Sequence, residues 1–128
     1  MLFSSRTYYI RITKWLLEIR NVDTDARLSK KVSEDFSNDR MLLADFDSFK
    51  NQLRDLVEEF EGKHLFLPQR TIIFHPIEDS ISEFSSVEKR SFRDACEYAG
   101  AKEIYMVFGE QDLSNSQIRA GIKGVFER

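Results

Sequence analysis

The stretch from Ser85 to Val107, SSVEKRSFRDACEYAGAKEIYMV, constrains the fold more tightly than any other part of the chain. Ser85 followed by Glu88 is a capping-box pattern, in which each side chain satisfies the other's free backbone N–H at a helix start. Phe92, Ala95, Cys96 and Ala99 recur at helical spacing and form one apolar stripe, while Glu88, Lys89, Arg93 and Asp94 lie mostly off it. Gly100 stands where a left-handed residue ends a helix without a Cβ clash. The run Ile104-Tyr105-Met106-Val107-Phe108 then reads as a short strand covered on both faces. A helix leading at once into a buried strand is half of a βαβ unit, so the remainder must supply a sheet for it to join.

The rest of the chain supplies that sheet. From Thr7 the pattern has period two: Tyr8, Ile10 and Ile12 face one way, and Tyr9 and Arg11 the other. After a turn near Thr13 and Lys14, Trp15, Leu17 and Ile19 share a face, with Leu16, Glu18 and Arg20 opposite. Asn21 to Asp25 is a turn-forming cluster. Ala26 to Val32 follows as a third strand, whose Arg27, Lys30 and Lys31 mark a protected edge. Ser33–Arg40 is a polar connection. Asp47 or Ser48 is the expected cap of a helix with Phe49, Leu53, Leu56, Val57 and Phe60 as its stripe and Gly62 as its stop. Leu65 to Pro68 reads as a connector, Arg70 to His75 as a buried strand halted by Pro76, and Ile77 to Phe84 as an acidic loop. Ser114 or Asn115 caps a last helix with Ile118, Ile122, Val125 and Phe126 on its stripe, weakened by Gly121 and Gly124 at about 1 kcal/mol each relative to Ala. The order is β-β-β-α-β-α-β-α, which predicts an α/β fold: a five-stranded mixed sheet with helices packed on it and the last two strands parallel. Residues 1–128 form a single domain.

Composition narrows the function classes. A net charge of −3, with basic residues scattered among acids, lacks the clustered positive face that phosphate contacts need, so nucleic acid is not an expected partner. No apolar run approaches the roughly 20 residues of a membrane span, and no secretory signal pattern appears, so the expected location is cytoplasmic. The terminal Leu2 and Phe3 are expected to fray or dock rather than enter a bilayer. One cysteine excludes an internal disulfide, and Cys96 on a core stripe reads as a buried thiol rather than a nucleophile. His64 and His75 flank a predicted strand without partners at metal-ligand spacing, so no metal is expected. His75 at a strand end reads first as a hydrogen-bonded structural histidine. Glu78, Asp79 and Glu83 read as a solvated loop, and the aromatic residues fall at core positions rather than between cations.

The wording of Val87-Glu88-Lys89-Arg90, followed by Ala99-Gly100-Ala101-Lys102-Glu103-Ile104-Tyr105-Met106-Val107, resembles the rod shape-determining bacterial actins of the MreB family. Leu43-Ala44-Asp45-Phe46-Asp47 resembles the ADFD stretch that opens the preceding helix in that family. The element order is similar to the ribonuclease-H-like half-unit of the actin-like ATPase superfamily. Only these two stretches are specific; from about Tyr8 to Gly121 the likeness is one of order and period. It implies a ribonuclease-H-like fold equivalent to the first large subdomain of an actin-like protein. Ser33–Arg40 replaces the small-subdomain insertion. The second half that would close a nucleotide cleft is expected to be missing.

The same resemblance implies that the reaction is lost. Arg11-Ile12-Thr13-Lys14 occupies the place of the family's Asp-Leu-Gly-Thr phosphate loop, and no glycine precedes Gly62. Phe108 stands at the position of the family's water-positioning Glu or Gln, and Glu110 reaches that place only if the strand slips by two residues. Phosphoryl transfer depends on placed metal, phosphate cradle and water. Neither ATP binding nor a cofactor is therefore expected, and Arg11, Thr13, Lys14 and Phe108 are degenerate site positions. The expected role is non-catalytic: protein contact or self-association in bacterial cell-shape or cytoskeletal functions. The contrasting reading is a nucleotide- or small-molecule-binding enzyme whose cleft is completed by oligomerisation, with Arg11, Lys14, His75 and Glu110 converging at one sheet edge.

Overall fold

A computed structural model describes residues 3–13, 16–31, 46–62, 67–77, 86–109, 111–124 and 126. Five strands and three helices follow in the order β1 (Phe3–Thr13), β2 (Leu16–Asn21), β3 (Arg27–Lys31), α1 (Phe46–Glu61), β4 (Leu67–Pro76), α2 (Ser86–Tyr98), β5 (Ala101–Met106) and α3 (Asn115–Ile122). They build one open α/β sheet of order β3-β2-β1-β4-β5. β1 pairs antiparallel with β2 and β2 with β3. β1 runs parallel to β4, and β4 to β5. The expected parallel pair is therefore present, and cationic β3 is an edge.

Alternation along the strands sends side chains to two cores. Tyr8, Ile10 and Ile12 of β1, Leu17 and Ile19 of β2, Ile72 and Phe74 of β4, and Ile104 and Met106 of β5 meet the stripes of α1 and α2. Phe49, Phe74 and Phe92 stack at its centre, with ring centroids 4.9 to 6.2 Å apart. On the opposite face Tyr9, Val22, Ile73 and Tyr105 lie beneath Ile118 of α3. The middle strands β1 and β4 are buried on both faces, as parallel strands require.

Several boundaries differ from the sequence reading. β1 begins at Phe3 rather than Thr7, because parallel β4 pairs with it from Leu67 onward. Leu67 and Pro68 thus belong to β4 instead of a connector. Pro76 does not halt the ladder, since the Ile77 N–H donates to the Ile12 carbonyl at 2.8 Å. Alternate residues turn their N–H groups to opposite neighbours, so Pro76 faces the β5 side, where β5 has already ended. That strand runs over Ala101–Met106, earlier than the expected Ile104–Phe108, and the Val107 N–H adds one more bond, to the Phe74 carbonyl. α1 starts at Phe46, which puts Asp47 in its first turn rather than at the cap, where its charge complements the helix dipole. α3 stops at Ile122, so Phe126 lies beyond the helix and folds back over Gly121 toward Tyr105. Ser114 is its cap, with a capping box completed by Gln117.

Gly62 and Gly100 hold positive φ angles of 64° and 95° at the ends of α1 and α2, as a helix stop predicts. Lys14, Trp15, the Ser33–Arg40 connection, Leu43 to Asp45, His64, Ser85, Glu110 and Val125 lie outside the described residues, as does the acidic loop from Glu78.

Candidate functional site

The carboxyl ends of β1, β4 and β5 open on one side of the sheet, where strand ends in α/β proteins gather ligand-binding residues. Register sets Arg11 of β1 opposite Glu18 of β2 on one side and His75 of β4 on the other. The Arg11 guanidinium lies 3.2 Å from the Glu18 carboxylate and 3.6 Å from that of Asp112. It is shared between two carboxylates, and the trio carries a net negative charge.

His75 is 1% exposed, with both ring nitrogens engaged. Nε2 is 2.8 Å from the Gly109 carbonyl oxygen, and Nδ1 is 2.6 Å from Tyr9 Oη. A carbonyl only accepts, so Nε2 carries the hydrogen; in the neutral ring Nδ1 then accepts from the Tyr9 hydroxyl. Tyr9 Oη in turn accepts from the Leu113 N–H at 3.4 Å. Arg20, 6% exposed, lays its guanidinium over the Tyr9 ring, 4.8 Å from the centroid, and donates through Nη2 to the Leu113 carbonyl. Burial pulls His75 below its ordinary value, and Arg11 adds to this; the Gly109 carbonyl and the Asp112 carboxylate act the other way. Burial pushes the Tyr9 phenol far up, assisted by Asp112. The His75–Tyr9 part of the array is neutral and hydrogen-bonded, Arg20 adds a buried charge whose Nε has no hydrogen-bond partner among the described residues, and together they tie the loop after β5 to the sheet. As a general base His75 lacks a free nitrogen, so the structural reading of this residue holds.

The other expected positions do not assemble into a phosphate cradle with these. Thr13 pairs with Leu16 at the end of the β1–β2 ladder. Phe108 packs against the α1–α2 core, with the Lys89 ammonium 5.0 Å from its ring centroid. Lys14 and Glu110 lie outside the described residues. Cys96 is fully buried, and burial pushes its thiol far above the ordinary value, so it is core as expected. Among the described residues no three His, Cys, Asp or Glu side chains gather as a metal site needs, and no helix is long and apolar enough to cross a membrane. A groove between α1 and the β2–β3 edge, lined by Leu17, Lys30, Lys31, Gln52 and Asp55, has a volume near 280 Å³. That is below the roughly 300 to 1,000 Å³ of small-molecule sites.

A second polar cluster stands at the opposite end of the sheet. Glu61, at the end of α1, accepts two hydrogen bonds of 2.6 Å from Arg70 and one of 2.8 Å from the Tyr8 hydroxyl. Arg6 approaches it at 3.8 Å. Burial opposes the charge of Glu61, yet the Arg70 and Tyr8 bonds outweigh it and hold the carboxyl below its usual range. Burial in turn pushes the Tyr8 phenol up to about 12.

Sequence reasoning passed over Tyr9, Arg20, Asp112 and Glu61. Arg20 carried a signal, being a cation set between Ile19 and Val22 in a strand; Asp112 carried none, because its meaning arises only when its loop returns over β1. No protein-family model matches the chain, and no curated protein matches its sequence.

Proposed function

We propose that this chain is a non-catalytic, actin-like domain of ribonuclease-H-like fold that acts by protein contact in bacterial cell-shape or cytoskeletal functions, in the cytoplasm. The strand order β3-β2-β1-β4-β5, with β1, β4 and β5 parallel and the first hairpin antiparallel, supports the ribonuclease-H-like part of this reading. The observation that carries the non-catalytic part is the state of Arg11. The residue at the phosphate-loop place is a cation already engaged by Glu18 and Asp112. A nucleotide phosphate entering there would have to displace two carboxylates and face their charge. The wording of residues 87–107 supports the bacterial-actin part.

Two measurements on the whole chain test this reading. Calorimetric titration with Mg-ATP and Mg-ADP should give no heat, and co-sedimentation with filaments of a bacterial actin should bring the chain into the pellet. Nucleotide binding at millimolar concentration would overturn the non-catalytic reading in favour of an enzyme completed by oligomerisation. A strict monomer by light scattering that stays in the supernatant would overturn the contact reading.

A further inference from the structure

The second face of the sheet is closed by a device that differs from ordinary packing. Shortly after β5 ends, the chain passes Gly109, whose φ of 132° is a backbone conformation that side-chain-bearing residues rarely adopt. The carbonyl of this same residue accepts from His75 Nε2. The loop beyond it returns over β1, where Leu113 bonds Tyr9 through its N–H and Arg20 through its carbonyl. Ser114 then starts α3, an eight-residue helix. Only Ile118 and Gly121 of this helix are buried, and Phe126 closes its far end. Leu113 and Ile122 are partly buried against the same strip, and the remaining polar ties are exposed or partly exposed: Arg119 to Asp23, Asn115 to Asp25, and Arg11 to Asp112. A hinge, a buried latch and a thin helical cover thus occupy one continuous segment.

We infer that the loop after β5 and α3 form a hinged cap, latched by His75, that is released when the imidazole takes up a proton, uncovering the strip of Tyr9, Ile73 and Tyr105. The proton enters at Nδ1, the nitrogen that accepts from Tyr9. Nδ1–H then points at Tyr9 Oη, so the tyrosine hydroxyl hydrogen must leave the ring nitrogen and turn toward Asp112, the carboxylate beside it. The ring becomes a buried cation near the Arg11 guanidinium, with no carboxylate in direct contact among the described residues, and burying such a charge is unfavourable. In the open form the imidazolium is hydrated, so acid favours opening. Among the described residues, the charged and titratable groups facing the ring are Tyr9 and Arg11 of β1 and Asp112 of the loop; Glu18 of β2 is paired with Arg11, Arg20 of β2 lies over Tyr9, and Arg119 of α3 is held by Asp23. Among the described residues, Asp112 is the carboxylate that favours the charged ring in the closed form, since Glu18 is turned to Arg11.

Hydrogen-exchange mass spectrometry on the whole chain, corrected for intrinsic rates and followed downward from neutral pH, tests the cap. Opening of residues 111–124 should rise by up to about tenfold per pH unit once the pH falls below the histidine's ordinary range, while amides of α1 and α2 keep their protection. His75→Gln keeps an amide donor and acceptor but does not titrate, and should abolish that pH dependence. Asp112→Asn should move the plateau of the rise to lower pH, whatever it does to basal opening, and this decides the matter should His75→Gln fail to fold. Cap exchange that ignores pH, a pH dependence that survives His75→Gln, an unmoved plateau in Asp112→Asn, or a cap that exchanges in step with α1 and α2 at every pH would overturn the inference.

Discussion

On the α1–α2 face of the sheet, two amphipathic helices and alternate residues of four strands interlock around Phe49, Phe74 and Phe92, with a fully buried residue at nearly every stripe position. On the α3 face a single short helix covers Tyr9, Ile73 and Tyr105, and the space beside it is filled by hydrogen-bonded polar groups: His75, Arg20 and the Tyr9 hydroxyl. The first face derives most of its stability from dispersed apolar burial, which does not itself titrate. The second depends on a few directional bonds whose strength changes with protonation. One sheet can therefore carry a permanent core and a releasable cover. The largest predicted effect tests this directly. Phe92→Ala removes a ring from the three-ring cluster and should cost about 3–5 kcal/mol in urea unfolding. Ile118→Ala, although equally buried, should cost less. A substitution in a unit that opens on its own cannot lower global stability by more than that unit's docking free energy. Equal losses from the two would break the comparison.

The next effect sharpens it at the other end of the sheet. Glu61 is the polar clasp of the α1–α2 face, with a side chain 2% exposed against 15% for Arg70. Removing one member of such a pair leaves the other charge uncompensated, so Glu61→Gln should cost about 3 kcal/mol by denaturant unfolding at neutral pH. The two clasps also separate by pH. Glu61 has a lowered folded pKa, so its contribution is complete above the ordinary carboxyl value of 4.5 and is lost as pH falls through the lowered folded value. His75 is also lowered, from 6.5, so its contribution is complete above that value and declines as pH falls below it. Unfolding followed against pH should show local loosening of the cap first and global destabilisation second. In Glu61→Gln the second phase should shrink while the first remains.

The α1–α2 face was largely legible in the sequence, because it is built from periodic stripes. Phe49, Leu53, Leu56 and Val57, then Phe92, Ala95, Cys96 and Ala99, are all buried where their spacing predicts. The stops at Gly62 and Gly100, the Ser114 cap and the parallel β4–β5 pair were legible for the same local reasons. The α3 face was less so. Its latch joins Tyr9 to His75 and to Leu113, positions separated by 66 and 104 residues. No local pattern encodes such a bond. Phe126 was read as part of a continuing stripe, yet it leaves the helix and occupies the space a side chain at residue 121 would need. Gly121 therefore makes room as well as weakening the helix. At the strand ends, Arg11 was legible as a changed residue, but not as one held between carboxylates from β2 and from a loop about a hundred residues away. Strand extent was misread where polar Ser4, Ser5 and Arg6 masked a parallel pairing that only β4 reveals.

The smallest predicted effect concerns the outer rim of the cap. Arg119 of α3 meets Asp23 of the β2–β3 turn, with both side chains about half exposed. In water such a pair gains little Coulomb energy and must order two side chains, so Arg119→Ala should lower stability by about 0–1 kcal/mol. Salt at about 1 M, where the Debye length is near 3 Å, should bring wild type and variant together. Because the pair ties the cap to a turn rather than to either core, its loss should appear as faster exchange of α3 amides, with those of α1 and α2 unchanged. A difference that persists at high salt, or that spreads to α1 and α2, would mean that the cap shares the cooperativity of the main core. The distinction between a permanent face and a releasable one would then fail at its weakest contact, before His75 is touched.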